Sequence, residues 1–204
     1  MNFQIKNATE LTTIDTQDAL AKIFVDGFYP HLKIFSKDKA TLRKALHGSF
    51  HIEDYFVARD KNQIVGMVSV QKKDEQGMTL NRRQMIKQLG LIKGNLAYFS
   101  LNKFMIKKPW PIELEENTLI IGFVSTDESY LRKGVSSQIF KHIFDVNSTH
   151  DFVLYTESSN EKALNLYNKL GFKEFLRLPE KHAKRAGFDS YVYMKRSQST
   201  LITK

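Results

Sequence analysis

Apolar residues recur at helical spacing in two stretches near the N-terminus, 16–28 and 37–49, with Leu20, Ile23 and Phe24 on one stripe. These predict two helices covering one face of a sheet, after a short first strand at 3–5. The runs 55–59 and 64–70 are rich in β-branched and aromatic residues, and Asp60-Lys61-Asn62-Gln63 between them has the composition of a hairpin turn. The run 119–125 is almost wholly apolar and predicts a central strand buried on both faces, and 152–156 predicts a second. Between them Val135, Ile139, Ile143 and Val146 form one helical stripe with Phe140 and Phe144 beside it, directly after a short loop containing Gly134. Strand, glycine loop, helix and strand make a βαβ unit. The runs 175–178 and 191–194 predict closing strands, separated by the basic loop Lys181-His182-Ala183-Lys184-Arg185, and residues from Ser197 onward read as a frayed tail.

The stretch 76–110 interrupts this order. It carries Arg82, Arg83, Lys87, Lys93, Lys103, Lys107 and Lys108 with no Asp or Glu. Met85, Ile86, Leu89, Ile92, Leu96, Phe99 and Phe104 fit one or two amphipathic helices, broken near Gly90 and Gly94 and ended by Pro109-Trp110-Pro111. It reads as an insertion ahead of the 119–125 strand, packed over the domain as a lid. The expected organisation is therefore one elaborated mixed α/β domain over 1–204, with a basic insertion at about 76–110.

Composition narrows the chemistry. The chain has 204 residues, no cysteine and six histidines without paired ligand spacing, which excludes disulfides, thiolate metal sites and a cysteine nucleophile; no metal is expected. The longest apolar runs fall well short of the roughly 20 residues that cross a bilayer, and the N-terminus lacks the features of a secretion signal. A soluble, cytoplasmic protein without integral membrane association is the expectation. A net charge of +9 favours anionic partners, among which a phosphate-bearing cofactor is one of the smaller.

Two segments carry candidate chemistry. Leu131-Arg132-Lys133-Gly134-Val135-Ser136-Ser137 lies where a buried strand feeds a helix, so the free N–H groups of the first turn would stand beside two cations and two hydroxyls. A phosphate cradle and a plain strand-to-helix turn with serine caps both fit. In the segment 160–172, Asn160 can cap a helix whose buried stripe is Ala163, Leu166, Tyr167 and Leu170, and Gly171 can take the left-handed position that ends it. Tyr167 then brings a phenol to the sheet, where it serves either as a core residue or as a group facing a cleft.

Together these segments resemble the GNAT superfamily of N-acetyltransferases, with the Gly134 loop as pyrophosphate motif and 160–172 as its "N-x-x-A-x-x-x-Y-x-x-x-G-F" helix. The resemblance is close over 119–194, general for the N-terminal helices and hairpin, and absent from the insertion. It implies a twisted mixed sheet with helices on both faces and a splayed central parallel strand pair that admits acetyl-CoA. It further implies that the backbone of Val124, Ser125 and Thr126 contacts the acetyl and pantetheine groups, that Arg132, Lys133, Gly134, Val135, Ser136 and Ser137 hold the pyrophosphate, and that Asn160 binds the pantetheine arm. Tyr167 falls at the family's position for the general acid that protonates the departing thiolate.

Leu131 and Ser136 depart from the family's preference for Gln or Arg and for Gly or Ala. The Glu that some members place five residues before the helix Asn is here Tyr155. Glu157, two residues on and on the same side of an extended strand, is the candidate base. Glu128 and the group Glu113, Glu115 and Glu116 are others. The implied activity is direct acetyl transfer from acetyl-CoA to a primary amine of small-molecule or peptide type. The alternative is a GNAT-like module without catalysis that holds CoA as a structural or regulatory ligand, or whose basic insertion docks a polyanion. Nucleic acid is not the expected partner, a homodimer is compatible with the sequence, and nothing in the sequence names the acceptor.

Overall fold

The computed structural model describes residues 1–11, 15–106 and 109–198, with Arg185 described by its backbone alone. Lys107, Lys108 and the predicted tail beyond Gln198 lie outside the described residues.

Among the described residues seven strands form one mixed sheet in the order β1-β2-β3-β4-β5-β7-β6. They are β1 (Gln4–Asn7), β2 (Tyr55–Asp60), β3 (Gln63–Gln71), β4 (Thr118–Thr126), β5 (Asp151–Glu157), β6 (Lys173–Pro179) and β7 (Ser190–Arg196). Every neighbouring pair is antiparallel except β4 and β5. That parallel pair meets only through Thr118, Leu119 and Ile120 against Asp151, Phe152 and Val153, and then parts. Beyond the parting, β4 continues on β3 as far as Thr126 and β5 continues on β7 as far as Glu157. A bulge bends β4 at this point: Met67 faces Ser125 and Ser69 faces Gly122, so Phe123 and Val124 stand together opposite Val68. Phe123 adopts a φ of 43°, a conformation rare outside glycine, and its ring packs on Phe24 and Phe28 of the first helix at 5.4 and 6.1 Å.

Helices cover both faces, as expected. One face carries α1 (Thr16–Leu32), α2 (Lys39–Leu46), α3 (Arg82–Leu89) and α4 (Leu91–Leu101), and its core joins Leu20, Ile23, Phe24, Leu42, Met67, Met85 and Ala97. The other carries α5 (Val135–Val146) and α6 (Glu161–Lys169), packed through Ile139, Phe140, Ile143 and Tyr167 on Val65, Val68, Phe152 and Leu154. A four-residue helix, α7 (Ala183–Ala186), sits in the β6–β7 loop. Among the described residues no helix is long and apolar enough to cross a membrane, and no group of side chains has the makings of a metal site.

The insertion differs from its expected form in three ways. Gly90 separates α3 from α4, but Gly94 lies inside α4, where a Cβ would come within 2.6 to 2.7 Å of the Met85 and Ile86 backbone. Its absent side chain permits the close helix crossing rather than a break. Met85, Ala97 and Leu101 belong to the core under α1 and α2, so the insertion is a built-in layer rather than a separate cover. Ile92, Leu96, Phe99 and Phe104 point outward instead of inward. In α5, Val146 is likewise exposed, as the last helical residue of an otherwise buried stripe.

Candidate active site

The cleft opened between β4 and β5 is flanked at one end by the start of α5. Gly134 takes a left-handed φ of 79° as the residue preceding the helix, and among the described residues no side chain caps its first turn. The first intrahelical bond runs from the Gln138 N–H to the Gly134 carbonyl, so the amides of Val135, Ser136 and Ser137 have no helical acceptor and carry the positive end of the helix dipole. Gly134 is open on its outer side, where a Cβ would meet only Gln138, at 3.9 Å. Arg132 and Lys133 are exposed beside it, Lys133 lying 4.7 Å over the Tyr130 ring. These groups can hold a phosphate.

The preceding loop is fixed from several sides. Tyr130 donates to Asp60 at 2.7 Å and accepts from Gln63 at 3.1 Å, which ties the loop to the β2–β3 hairpin. Asp127 accepts from Lys22 of α1 at 2.7 Å, and Lys22 also reaches Asp26 at 3.3 Å. Burial alone would raise the Asp127 carboxyl, but the Lys22 ammonium and the Ser129 donors outweigh it and hold it at about 2.

The β4 residues at the cleft divide by side chain. Ser125 is buried and donates to the Ile23 carbonyl at 2.9 Å, which commits its hydroxyl to α1. Val124 packs on the α5 side. Thr126 meets the Ser136 hydroxyl at 2.9 Å, linking the strand end to the anion-binding turn. The serine that departs from the family preference thus has a structural partner. For Val124 and Ser125, the cleft is left with backbone groups.

On the opposite wall Asn160 caps α6, its amide oxygen accepting from the Ala163 N–H at 3.2 Å while its NH2 group donates to none of the described residues. Gly171 ends the helix at a φ of 89°. Tyr167 is the fully enclosed residue of the predicted stripe; Ala163, Leu166 and Leu170 are only half-buried. Its ring packs edge-on against Phe140 and Phe172 at 6.0 and 5.9 Å, and its hydroxyl makes no hydrogen bond among the described residues. Burial pushes this phenol upward, so it stays protonated at neutral pH.

Glu157 closes β5, one carboxylate oxygen 3.5 Å from Nε2 of His31 at the end of α1. His31 carries no sequence signal; only the long-range packing of α1 against the splayed sheet brings it there. Beside Glu157 runs an aromatic row on the same sheet face: Trp110 lies 5.9 Å from Tyr155 and 5.6 Å from Tyr193, and Tyr155 lies 5.8 Å from Tyr191. Burial first, then Glu180 and Glu157, push the Tyr191 phenol up to about 12. Beyond Glu157 an open cavity of 480 Å³ is bounded by Ser158, Ser159, Arg177, Phe188 and Ser190. The remaining carboxylates are surface charges: Glu128 is 74% exposed, 3.7 Å from Lys39, while Glu113 and Glu115 pair with Lys73 and Lys195, and Glu116 is exposed.

Comparison with known proteins agrees with this geometry. The chain resembles solved structures of an N-acetyltransferase from Staphylococcus aureus (16% identity, 94% of this chain and 99% of that one, TM-score 0.58) and the ribosomal-protein-S18-alanine N-acetyltransferase from Escherichia coli (14%, 96% and 93%, 0.55). It also resembles a structure from Corynebacterium glutamicum described as histone acetyltransferase HPA2 and related acetyltransferase (19%, 96% and 96%, 0.59). At these identities the likeness is one of fold. No curated protein sequence matches. Residues 18–172 match the acetyltransferase (GNAT) family, a span running from α1 through the splayed strands to the residue after Gly171, and the chain belongs to that family.

Proposed function

We propose that this protein transfers acetyl from acetyl-CoA to a primary amine by direct attack, with Tyr167 as acid and Glu157 as base. The observation that carries the reading is the strand pair that meets over three residues and then opens, with a helix N-terminus that no described side chain caps on one side and the buried Tyr167 helix on the other. The α5 amides with Arg132, Lys133, Ser136 and Ser137 would take the pyrophosphate, while Val124, Ser125 and Thr126 would meet the acetyl and pantetheine groups through their backbone. Asn160 would hold the pantetheine arm through its amide.

Glu157 takes one proton from the ammonium, and the freed lone pair forms the C–N bond to the thioester carbon. A backbone N–H on the splayed strand would carry the charge on the tetrahedral oxygen. As the C–S bond breaks, sulfur receives the Tyr167 proton, the nitrogen loses its second proton to water, and Tyr167 recovers its own from solvent. One proton is released per turnover. His31 keeps the Glu157 carboxylate turned toward the α1 side of the cleft.

Thiol release from acetyl-CoA with a panel of monoamines, polyamines, amino acids and peptides tests the reading. Turnover with at least one amine class is expected. Tight cofactor binding without turnover on any class would instead favour a CoA-binding module.

A further inference from the structure

Helix α4 wears its large apolar side chains on the wrong side. It packs inward through Gly94, Ala97 and, at its end, Leu101, which lie on one face. Ile92, Leu96 and Phe99, at the i, i+4, i+7 spacing of the opposite face, are 82%, 51% and 57% exposed. Phe104, in the π-helical turn Asn102–Ile106 that follows, is 61% exposed. Isolated exposed leucines are ordinary, but three large apolar side chains on one face of α4, with a fourth in the turn that follows, form a patch that calls for a partner.

The charges around the stripe say what kind. Arg82 lies 5.4 Å from the Phe99 ring and also bonds Asn95, and Lys103 lies 5.3 Å over the Phe104 ring. Lys93, Lys87 and Arg83 belong to the same helix pair, and no Asp or Glu occurs from Gln76 to Ile112. A second copy docked stripe to stripe would bring these cations against their own equivalents, which disfavours self-association. A nucleic acid would satisfy the cations but leave the aliphatic side chains without use. An anionic bilayer surface satisfies both, accepting the apolar side chains below the headgroups and the lysines and arginines among them.

The geometry points to α4 and the turn after it as a docking surface for anionic membrane, on which the protein lies peripherally. Sedimentation of the full chain with vesicles tests this. Partition to vesicles containing about a third phosphatidylglycerol should exceed that to pure phosphatidylcholine by about tenfold, and should fall with added salt. The triple variant Ile92→Ser, Leu96→Ser, Phe99→Ser changes exposed positions only, so its thermal melt should be retained while binding is lost. Lys93→Glu with Lys103→Glu should abolish the preference for anionic lipid. Equal partition to both vesicle types, binding that survives both variants, or no vesicle binding together with a concentration-dependent oligomer dispersed by the serine variant, would each overturn the proposal.

Discussion

Tyr167 and Asp54 illustrate opposite uses of burial at a single residue. Burial keeps the Tyr167 phenol protonated, which suits a donor to a departing thiolate, and its ring is also part of the core shared with Phe140 and Phe172. Tyr167→Phe keeps that packing and removes only the hydroxyl. Turnover should fall by roughly 10²–10⁴-fold with acetyl-CoA affinity unchanged, measured by thiol release and calorimetry, and unaltered turnover would remove Tyr167 from the reaction. At Asp54 burial works against the charged form: burial, with Glu53 and Glu75, raises its carboxyl to about 6, against the weaker attraction of His51. Unfolded, the group titrates near roughly 3.9, so between those values the folded chain holds a proton that the unfolded chain has lost. Its contribution is fully present below about pH 4 and lost as pH rises through about 6. Asp54→Asn should therefore stabilise the protein by about 1 kcal/mol at pH 7.5, discounted for the water that still reaches the side chain, or some 2–4 °C in Tm. The gain should vanish in melts at about pH 4.

At the scale of elements, α4 shows how crowding overrides propensity. Alanine in place of Gly94 would favour the helix by about 1 kcal/mol in isolation, but its Cβ would press on backbone atoms of α3 that have no rotamer to yield. Gly94→Ala should thus destabilise by about 1–3 kcal/mol in urea unfolding; a stabilised variant would mean that the two helices separate freely. The contrast with α6 explains what the sequence could reveal. The Asn160 cap, the Gly171 stop and the inward Tyr167 of α6 act within or beside one helix and follow from local caps and spacing, whereas what those residues would do at the cleft is implied by the family resemblance. In α4 both faces are apolar, so periodicity alone cannot tell which turns inward; the small residues win because α3 lies so close. The bulge at Phe123 depends on its register with β3 and on the rings of Phe24 and Phe28, and the His31–Glu157 contact joins residues more than a hundred positions apart. Neither leaves a trace in local sequence. Trp110, flanked by prolines, reads as a loop anchor, and only the fold places it against Tyr155 and Tyr193.

Over the whole molecule, the excess of positive charge is divided between two regions of different use. The cations by Gly134 stand at a helix N-terminus and would meet phosphates, whereas those of the insertion surround exposed apolar side chains. Acetyl-CoA affinity should fall several-fold between low and physiological salt, and Arg132→Ala with Lys133→Ala should flatten that dependence in calorimetric titrations. A salt-independent affinity in the unsubstituted protein would remove both side chains from the phosphate site.

The three-residue meeting of β4 and β5 also makes the sheet a seam between two half-sheets, one of four strands and one of three. Few rungs cross it, so beyond Ile120 and Val153 the two margins share no ladder bonds, and the halves are joined there through the core beneath α5 and α6. A ligand lying in the opening would act as a stitch, tying both margins through its own amide and phosphate groups. Hydrogen exchange should then slow on saturation with CoA along both margins of the seam, at 121–126 and 154–157, and stay unchanged in β1 and β2; uniform slowing across the sheet would mean that the halves already move as one.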